Sequence, residues 1–157
     1  MKTPLVVALT AAALLAGGCS PPAGTADMAV PAHDAHNVTK PAGVTEKYWK
    51  LVELRGQPVP ALDREPHLIL EAEGGRVHGF GGCNGFTGAY EIDEATSRIR
   101  FDQVASTMMA CPSGMEVEQT FHEVLRSVDN YSLAGDRLTL NRARMAPLAR
   151  FEAVYLR

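Results

Sequence analysis

The sequence has 157 residues, of which 46% are hydrophobic and 21% are charged, with 15 Lys and Arg against 18 Asp and Glu. This length predicts one folded domain with a tail. The net charge of −3, without any long basic run, argues against a nucleic-acid partner, which normally meets a basic face.

Residues 1–18 have the pattern of a secretory signal. Lys2 supplies a positive start, the run from Leu5 to Ala16 is apolar and uncharged, and the small residues Gly17 and Gly18 follow. The apolar run is shorter than the roughly 20 residues that a membrane-spanning helix needs. A cleaved leader is therefore predicted in preference to a transmembrane anchor.

The segment that ends the leader, Leu-Ala-Gly-Gly-Cys-Ser, resembles the bacterial lipobox. Cys19 would then become the lipidated first residue of the mature chain, although Ala16 stands where a large aliphatic residue is usual. Several acyl chains on one residue would hold the protein stably at a membrane. Ser20 in the next position favours the outer membrane by resemblance to other lipoproteins. We expect an outer membrane lipoprotein that faces the periplasm; an ordinary signal peptide is the alternative.

Residues 19–45 are predicted to form a lipidated and disordered tether. The segment is rich in Pro, Ala, Gly and Thr and has no apolar periodicity, so it cannot bury enough surface to offset the entropy of ordering. His33 and His36 lie within it, but a metal site would need more ligands and a rigid frame. We expect these histidines to be solvated.

Residues 46–157 are predicted to form the folded domain. Alternating or continuous apolar runs bounded by turn residues predict short strands. The predicted strands cover 49–54, 67–72, 76–80, 86–92, 99–101, 131–133, 138–140 and 148–156. Turns at Gly74-Gly75 and Gly135-Asp136 predict two hairpins.

One helix interrupts the strands. Ser113 is predicted to cap it, with Glu116 completing a capping box. Apolar residues recur at helical spacing and form one face: Val117, Phe121, Val124, Leu125 and Val128. The order of strands around this helix predicts a mainly β fold of the α+β class, a curled antiparallel β-barrel-like sheet packed against a single helix.

Two cysteines remain once Cys19 is assigned to lipidation. An oxidising envelope compartment permits a disulfide between Cys83 and Cys111. Closing that loop would stabilise the fold by roughly 3.5 kcal/mol in the chain-entropy model. Two buried free thiols are the alternative, because cysteine packs like a small apolar residue.

The segment from Gly79 to Tyr90 is dense in glycine. It lacks the lysine of a phosphate-binding loop and the βαβ context of a dinucleotide site. Glycine permits positive φ and close backbone approach, so the segment is predicted to be a corner between strands. We expect no metal and no cofactor.

The residues Gly82-Cys83-Asn84-x-x-x-Gly88-x-Tyr90 resemble the signature of the META domain, the family of the heat-shock protein HslJ. Further matches are Ser106-Thr107-x-x-Ala110-Cys111, Glu118-x-x-Phe121-x-x-x-Leu125 and the hairpin Tyr131–Leu140. The resemblance covers the whole predicted domain and none of the tether. It implies a compact β-barrel-like fold with one packed helix. It also implies structural roles for the motif residues Gly82, Asn84, Gly88, Tyr90, Ser106 and Thr107.

The resemblance implies a non-enzymatic cell-envelope lipoprotein that acts in envelope stress or antibiotic tolerance through binding. Its partners would be the membrane, through the acyl chains, and an envelope protein or apolar ligand. One alternative is a pilotin-like carrier or chaperone that binds lipid or a partner peptide, which needs an internal cavity. In that case Met108 and Met109 would line an apolar surface, whereas core filling is their other interpretation.

A further alternative is a cysteine enzyme. Cys83 would be the nucleophile, and His78 or His122 would be the base that activates it. A disulfide at Cys83 would exclude this mechanism. If they are not catalytic, we expect His78 to be a solvated hairpin residue and His122 a polar residue on the flank of the helix.

Overall fold

The computed structural model describes residues 43–143 and 147–155. The predicted leader, Cys19 and most of the tether lie outside these residues. The elements are β1 (Tyr48–Leu54), β2 (Gln57–Pro58), β3 (His67–Leu70), β4 (Arg76–Phe80), β5 (Gly85–Asp93), β6 (Arg98–Ser106), α1 (Met115–Ser127), β7 (Asn130–Ala134), β8 (Arg137–Asn141) and β9 (Ala149–Val154).

The strands form one antiparallel sheet that closes on itself. Its order is β2-β1-β3-β4-β5-β6-β7-β8-β9, and β1 also pairs with β9 over its whole length. The strands therefore make a ring of hydrogen-bonded pairs. The shortest pairing in this ring is between β6 and β7, where Arg98 opposite Asn130 is the single residue pair. The prediction of a mainly β, curled antiparallel sheet with one helix is confirmed.

The core lies between the inner face of the ring and the apolar face of α1. Inward-pointing side chains of the strands alternate with outward ones, as the pleat requires. Trp49, Phe121 and Phe151 are the largest fully buried side chains. Phe121 of the helix meets Phe86 of β5 edge to face, with ring centroids 5.6 Å apart, and lies 5.8 Å from Phe151 of β9. The helix thus ties opposite parts of the ring together.

The folded domain begins earlier than the predicted boundary at residue 46. Val44 is only 1% exposed and packs in the core. Its carbonyl oxygen accepts a hydrogen bond of 2.7 Å from the indole nitrogen of Trp49. The buried indole needs a partner for its N–H, and the chain just before β1 supplies it.

Within the described ranges, no helix is long and apolar enough to cross a bilayer.

The predicted cap of the helix is wrong. The residue before the first helical turn is Gly114 in the left-handed conformation, with φ of 85°, and no side chain caps the helix. A Cβ atom at Gly114 would lie 2.1 Å from the carbonyl oxygen of Gly82. This close approach of two backbones, and not a local Ser113–Glu116 capping box, determines how the chain enters α1.

Candidate functional site

Two loops meet at one end of the ring. The corner between β4 and β5, residues 81–84, lies against the segment from Thr107 to Met115 that leads from β6 into α1. Cys83 and Cys111 join them as a disulfide, with Cα atoms 5.7 Å apart. The pairing predicted from the cysteine count is the one that the structure contains.

Asn84 makes hydrogen bonds from both ends of its carboxamide group. Its oxygen accepts from the hydroxyl of Thr107 at 2.9 Å and from the amide N–H of Met109 at 2.8 Å. Its NH₂ group donates to Met109 O at 3.2 Å and to Oε1 of Glu118 at 3.0 Å. The residue is 3% exposed. An aspartate would lose both donated bonds, so asparagine is specifically suited to this position.

Glu118 extends this network from the helix to the backbone of the corner. Its Oε2 accepts the amide N–H of Cys83 at 3.1 Å and the amide N–H of Asn84. We call Asn84, Thr107, Met109 and Glu118 the Asn84 network. Sequence reasoning assigned Glu118 no role. The helical spacing did indicate a position for it. Glu118 precedes the buried Phe121 by three residues, and residues at this spacing are neighbours on a helix surface, so Glu118 lies beside the apolar face.

Glycines let the two backbones touch beneath the network. Gly82 has φ of 133°, and a Cβ atom there would lie 2.7 Å from the carbonyl oxygen of Gly114. A Cβ atom at Gly81 would lie 2.7 Å from Cγ of Glu118. The glycines of this corner therefore permit close contact and do not form a phosphate-binding loop.

The other motif residues lie along the strands that lead away from the corner. Gly88 lies at the irregularity between β5 and β6, where a Cβ atom would be 3.1 Å from Asp102 O. Tyr90 is buried, donates its hydroxyl to the carbonyl oxygen of Glu71 at 2.7 Å, and has its pKa raised by burial. Ser106 pairs with Phe86. The contacts of these three residues hold the sheet together.

The segment from Thr107 to Met115, which we call the methionine tip, exposes three large apolar side chains. Met108 is 98% exposed, Met109 61% and Met115 51%. Core filling by Met108 and Met109 is therefore wrong. Asn84 binds both the N–H and the carbonyl oxygen of Met109, so the backbone faces inward and the methionine side chains face solvent.

The two segments that meet at the tip lack charged side chains. Residues 79–90 and 103–115 contain no Asp, Glu, Lys or Arg, in a chain that is 21% charged. The disulfide brings these two segments together. Glu118 lies behind them with its carboxylate occupied by hydrogen bonds. The tip is thus an exposed apolar surface held on a fixed backbone.

The cysteine-enzyme alternative does not fit this geometry. Cys83 is disulfide-bonded and 3% exposed, so it has no thiolate to attack a substrate. The Nδ1 atom of His78 lies 3.1 Å from a carboxylate oxygen of Glu71. His78 is thus paired with a carboxylate and is not a freely solvated hairpin residue.

Within the described ranges, no group of three or more His, Cys, Asp and Glu side chains could hold a metal.

His122 is buried, which corrects the prediction of a polar residue on the flank of the helix. It is 8% exposed and lies edge to face with Phe86 at 5.5 Å. Among the described residues, its Nε2 atom has no hydrogen-bond partner. Burial lowers the pKa of His122, because the charged imidazolium would lose its hydration.

The interior of the ring is filled by side chains. The residues with less than 2% exposure include Trp49, Leu51, Leu68, Leu70, Ile99, Phe121, Leu125, Leu138, Leu140 and Phe151. They belong to one contiguous core that includes the helix. This packing does not favour a carrier that encloses an acyl chain, because the chain could enter only by displacing these residues.

Comparison with known proteins agrees with this architecture. The sequence profile of the META domain matches residues 42–155. Three solved structures share the fold. An NMR structure of a protein has a TM-score of 0.55 at 21% identity, covering 69% of this chain and 90% of its own. An NMR structure of a Burkholderia xenovorans protein has a TM-score of 0.55 at 18% identity, covering 80% and 99%.

The third structure is the crystal structure of a DUF4847 family protein from Bacteroides vulgatus ATCC 8482. It has a TM-score of 0.54 at 15% identity and covers 69% of this chain and 93% of its own. At these identities the similarity concerns the fold alone. No curated protein matches the sequence significantly.

Proposed function

The chain belongs to the META domain family, and on that premise we propose that it is a non-enzymatic lipoprotein of the cell envelope that acts by binding through its methionine tip. The observation that carries the proposal is the exposure of Met108, Met109 and Met115 on a backbone that the disulfide and the Asn84 network hold in place. The role in envelope stress or antibiotic tolerance rests on the resemblance to the HslJ family.

The tip has the properties of a binding surface. Methionine side chains are flexible and polarizable, so they adapt to partners of different shape. No charged side chain in the two surrounding segments would have to lose its hydration when a partner covers them. A backbone that is already ordered also loses little entropy on association. These properties favour an apolar surface of an envelope protein as the partner.

The position of the tip suits a protein tethered at its N-terminus. Gly43, where the described chain begins, lies beside Glu94, just beyond one end of β5. The tip adjoins Gly85 at the other end of this nine-residue strand, because the amide of Thr107 donates to Gly85 O. At about 3.3 Å per residue the two ends are roughly 30 Å apart. The first described residue of the domain is thus at the end opposite the tip, which leaves the tip clear of the point where the described chain begins.

Exposed methionines also allow a direct test. We would replace Met108 and Met109 with lysine in the full-length protein, and replace Leu133, a partly exposed residue of β7, with lysine as the control. Cells that lack the gene would receive each variant and be challenged with heat and with antibiotics. Because these side chains are exposed, the melting temperatures should stay within a few degrees of the parent.

The proposal predicts that the double variant Met108→Lys/Met109→Lys loses protection whereas Leu133→Lys retains it. Equal protection by both variants, at equal abundance in the membrane fraction, would show that the tip is not the binding surface. A separate variant, Cys19→Ser, should shift the protein from the membrane fraction to the soluble fraction. Its retention in the membrane fraction would contradict the lipoprotein assignment.

A further inference from the structure

A second surface, outside the methionine side chains, has the chemistry of an anion site. A cleft of about 510 Å³ lies on the outer face of β3, β4, β5 and β6. Its lining includes Arg64, His67, His78, Thr87, Ser106 and Thr107. His78, Thr87 and Ala105 are direct neighbours across three strands, so they form a row on this outer face.

The charge of this cleft sets it apart from the surface around it. No Asp or Glu lines it, although acidic residues outnumber basic ones in the chain. Four other clefts on the described surface each include at least one carboxylate: Glu116, Glu65, Glu71, or Asp136 with Glu152. No carboxylate lies in the walls of this cleft; Glu71, whose Oε1 is 3.1 Å from Nδ1 of His78, lines the neighbouring cleft.

Arg64 supplies the positive charge. Its guanidinium carbon lies 4.2 Å from the centre of the Phe80 ring, a stacking contact that holds the group over the outer face. Among the described residues it makes no ion pair, whereas the neighbouring Glu65 is bound to Lys50 at 2.6 Å. A guanidinium without a carboxylate partner keeps its donors for a planar oxyanion, which it binds in bidentate fashion.

The histidines and hydroxyls complete the lining. His67 stacks on Tyr48 at 4.2 Å, and its Nδ1 atom lies 3.1 Å from the carbonyl oxygen of Glu65, so that this nitrogen is the donor. Burial lowers the pKa of His67, so Arg64 provides most of the charge. The hydroxyl of Thr87 lies in the outer row with His78, and among the described residues it has no protein partner, whereas Ser106 is the neighbour of the inward-pointing Phe86.

The floor of the cleft is open because Gly85 has no side chain. It is the residue of β5 opposite Phe80. A Cβ atom at Gly85 would lie 3.7 Å from its nearest neighbour, Gly79 O, which is an ordinary van der Waals distance. The space above this residue is therefore empty, in contrast to the tight surroundings of Gly79, Gly81 and Gly82.

We propose that this cleft binds a small ligand through an oxyanion, either a carboxylate or a phosphate group, with Arg64 as the main contact and the hydroxyl of Thr87 as a further donor. This site uses none of the methionine side chains of the tip and does not depend on lipidation. It would give the protein a small-molecule ligand in addition to a macromolecular partner.

The test is an NMR titration of the full-length protein in detergent, with inorganic phosphate in one series and citrate in the other. Backbone amide signals of β4 and β5 and the side-chain signal of Arg64 report on the cleft. Arg64→Gln removes the charge, and Gly85→Val fills the floor. Arg137→Gln is the control, since Arg137 is an exposed arginine that lies beside Glu152 in a different cleft.

The proposal predicts saturable shifts in these signals, weakened about tenfold or more by Arg64→Gln and by Gly85→Val but unchanged by Arg137→Gln. Tighter binding of phosphate would identify a phosphate ligand, and tighter binding of citrate a carboxylate ligand. Absence of saturation with both anions would overturn the proposal. Equal affinities of the Arg64→Gln and Arg137→Gln variants would also overturn it. This comparison remains valid even if Gly85→Val fails to fold.

Discussion

Replacing Asn84 with alanine should destabilise the domain more than replacing any polar residue of the methionine tip. Asn84 makes four hydrogen bonds, to Thr107, Glu118 and both backbone groups of Met109. Each such bond contributes about 1 kcal/mol net. Water can reach the exposed Met109 side of the network and replace part of this. We therefore expect a loss of about 3 kcal/mol in the free energy of unfolding.

Two further variants separate the hydrogen bonds from the loss of side-chain volume. Asn84→Asp keeps the shape but places a carboxylate against that of Glu118 and against the carbonyl oxygen of Met109, so it should cost at least as much as alanine. Thr107→Val removes one hydrogen bond and should cost about 1 kcal/mol. Urea unfolding of the oxidised protein gives these values, and amide hydrogen exchange at Met109 reports whether the tip has become mobile.

The reasoning would be refuted if Asn84→Ala cost no more than Thr107→Val, or if Asn84→Asp were as stable as the parent. The first result would mean that the four hydrogen bonds contribute little, and the second that Asn84 contributes through its volume and not through the hydrogen bonds that it donates. Loss of stability without faster exchange at Met109 would show that the network does not hold the tip.

Three other predictions follow from the same contacts. Because burial lowers the pKa of His122, the unfolded state binds more protons, and stability should fall as the pH drops below about 6.5. His122→Leu should remove part of this loss of stability at low pH, and it also removes the unpaired Nε2 atom. A variant whose melting temperature depends on pH as the parent's does would contradict this prediction. Gly82→Ala should lower the melting temperature more than Gly56→Ala does: both residues have positive φ, but only at Gly82 would the Cβ also clash, 2.7 Å from Gly114 O. Removing the disulfide by Cys83→Ala/Cys111→Ala should cost roughly 3.5 kcal/mol in urea unfolding, and a loss below about 1 kcal/mol would show that the native contacts alone hold the loop closed.

Much of the fold could be predicted because its signals are local. Alternation of apolar residues indicated the strands, helical spacing from Val117 to Val128 indicated α1, and Gly135-Asp136 indicated the turn between β7 and β8. The closure of the ring by β1 and β9 could not be predicted, because it joins residues about a hundred positions apart, and no local pattern encodes such a pair.

The contacts at the tip were beyond sequence reasoning for the same reason. Ser113 and Glu116 match a capping box locally, but the contact between Gly82 and Gly114 overrides it. Met108 and Met109 are apolar and were compatible with the core. Their exposure follows from hydrogen bonds to Asn84, which is 25 residues away from Met109 along the chain. Composition alone does not distinguish an apolar surface from a core segment.

The intact mass of the protein extracted from membranes, with thiols alkylated before and after reduction, tests the disulfide-linked lipoprotein most directly. We predict a mature chain that begins at an acylated Cys19 and gains two alkyl groups only after reduction, one on Cys83 and one on Cys111. An unacylated chain whose Cys83 is alkylated without reduction would contradict both the lipidation and the disulfide, and would make a reactive thiol the hypothesis to pursue.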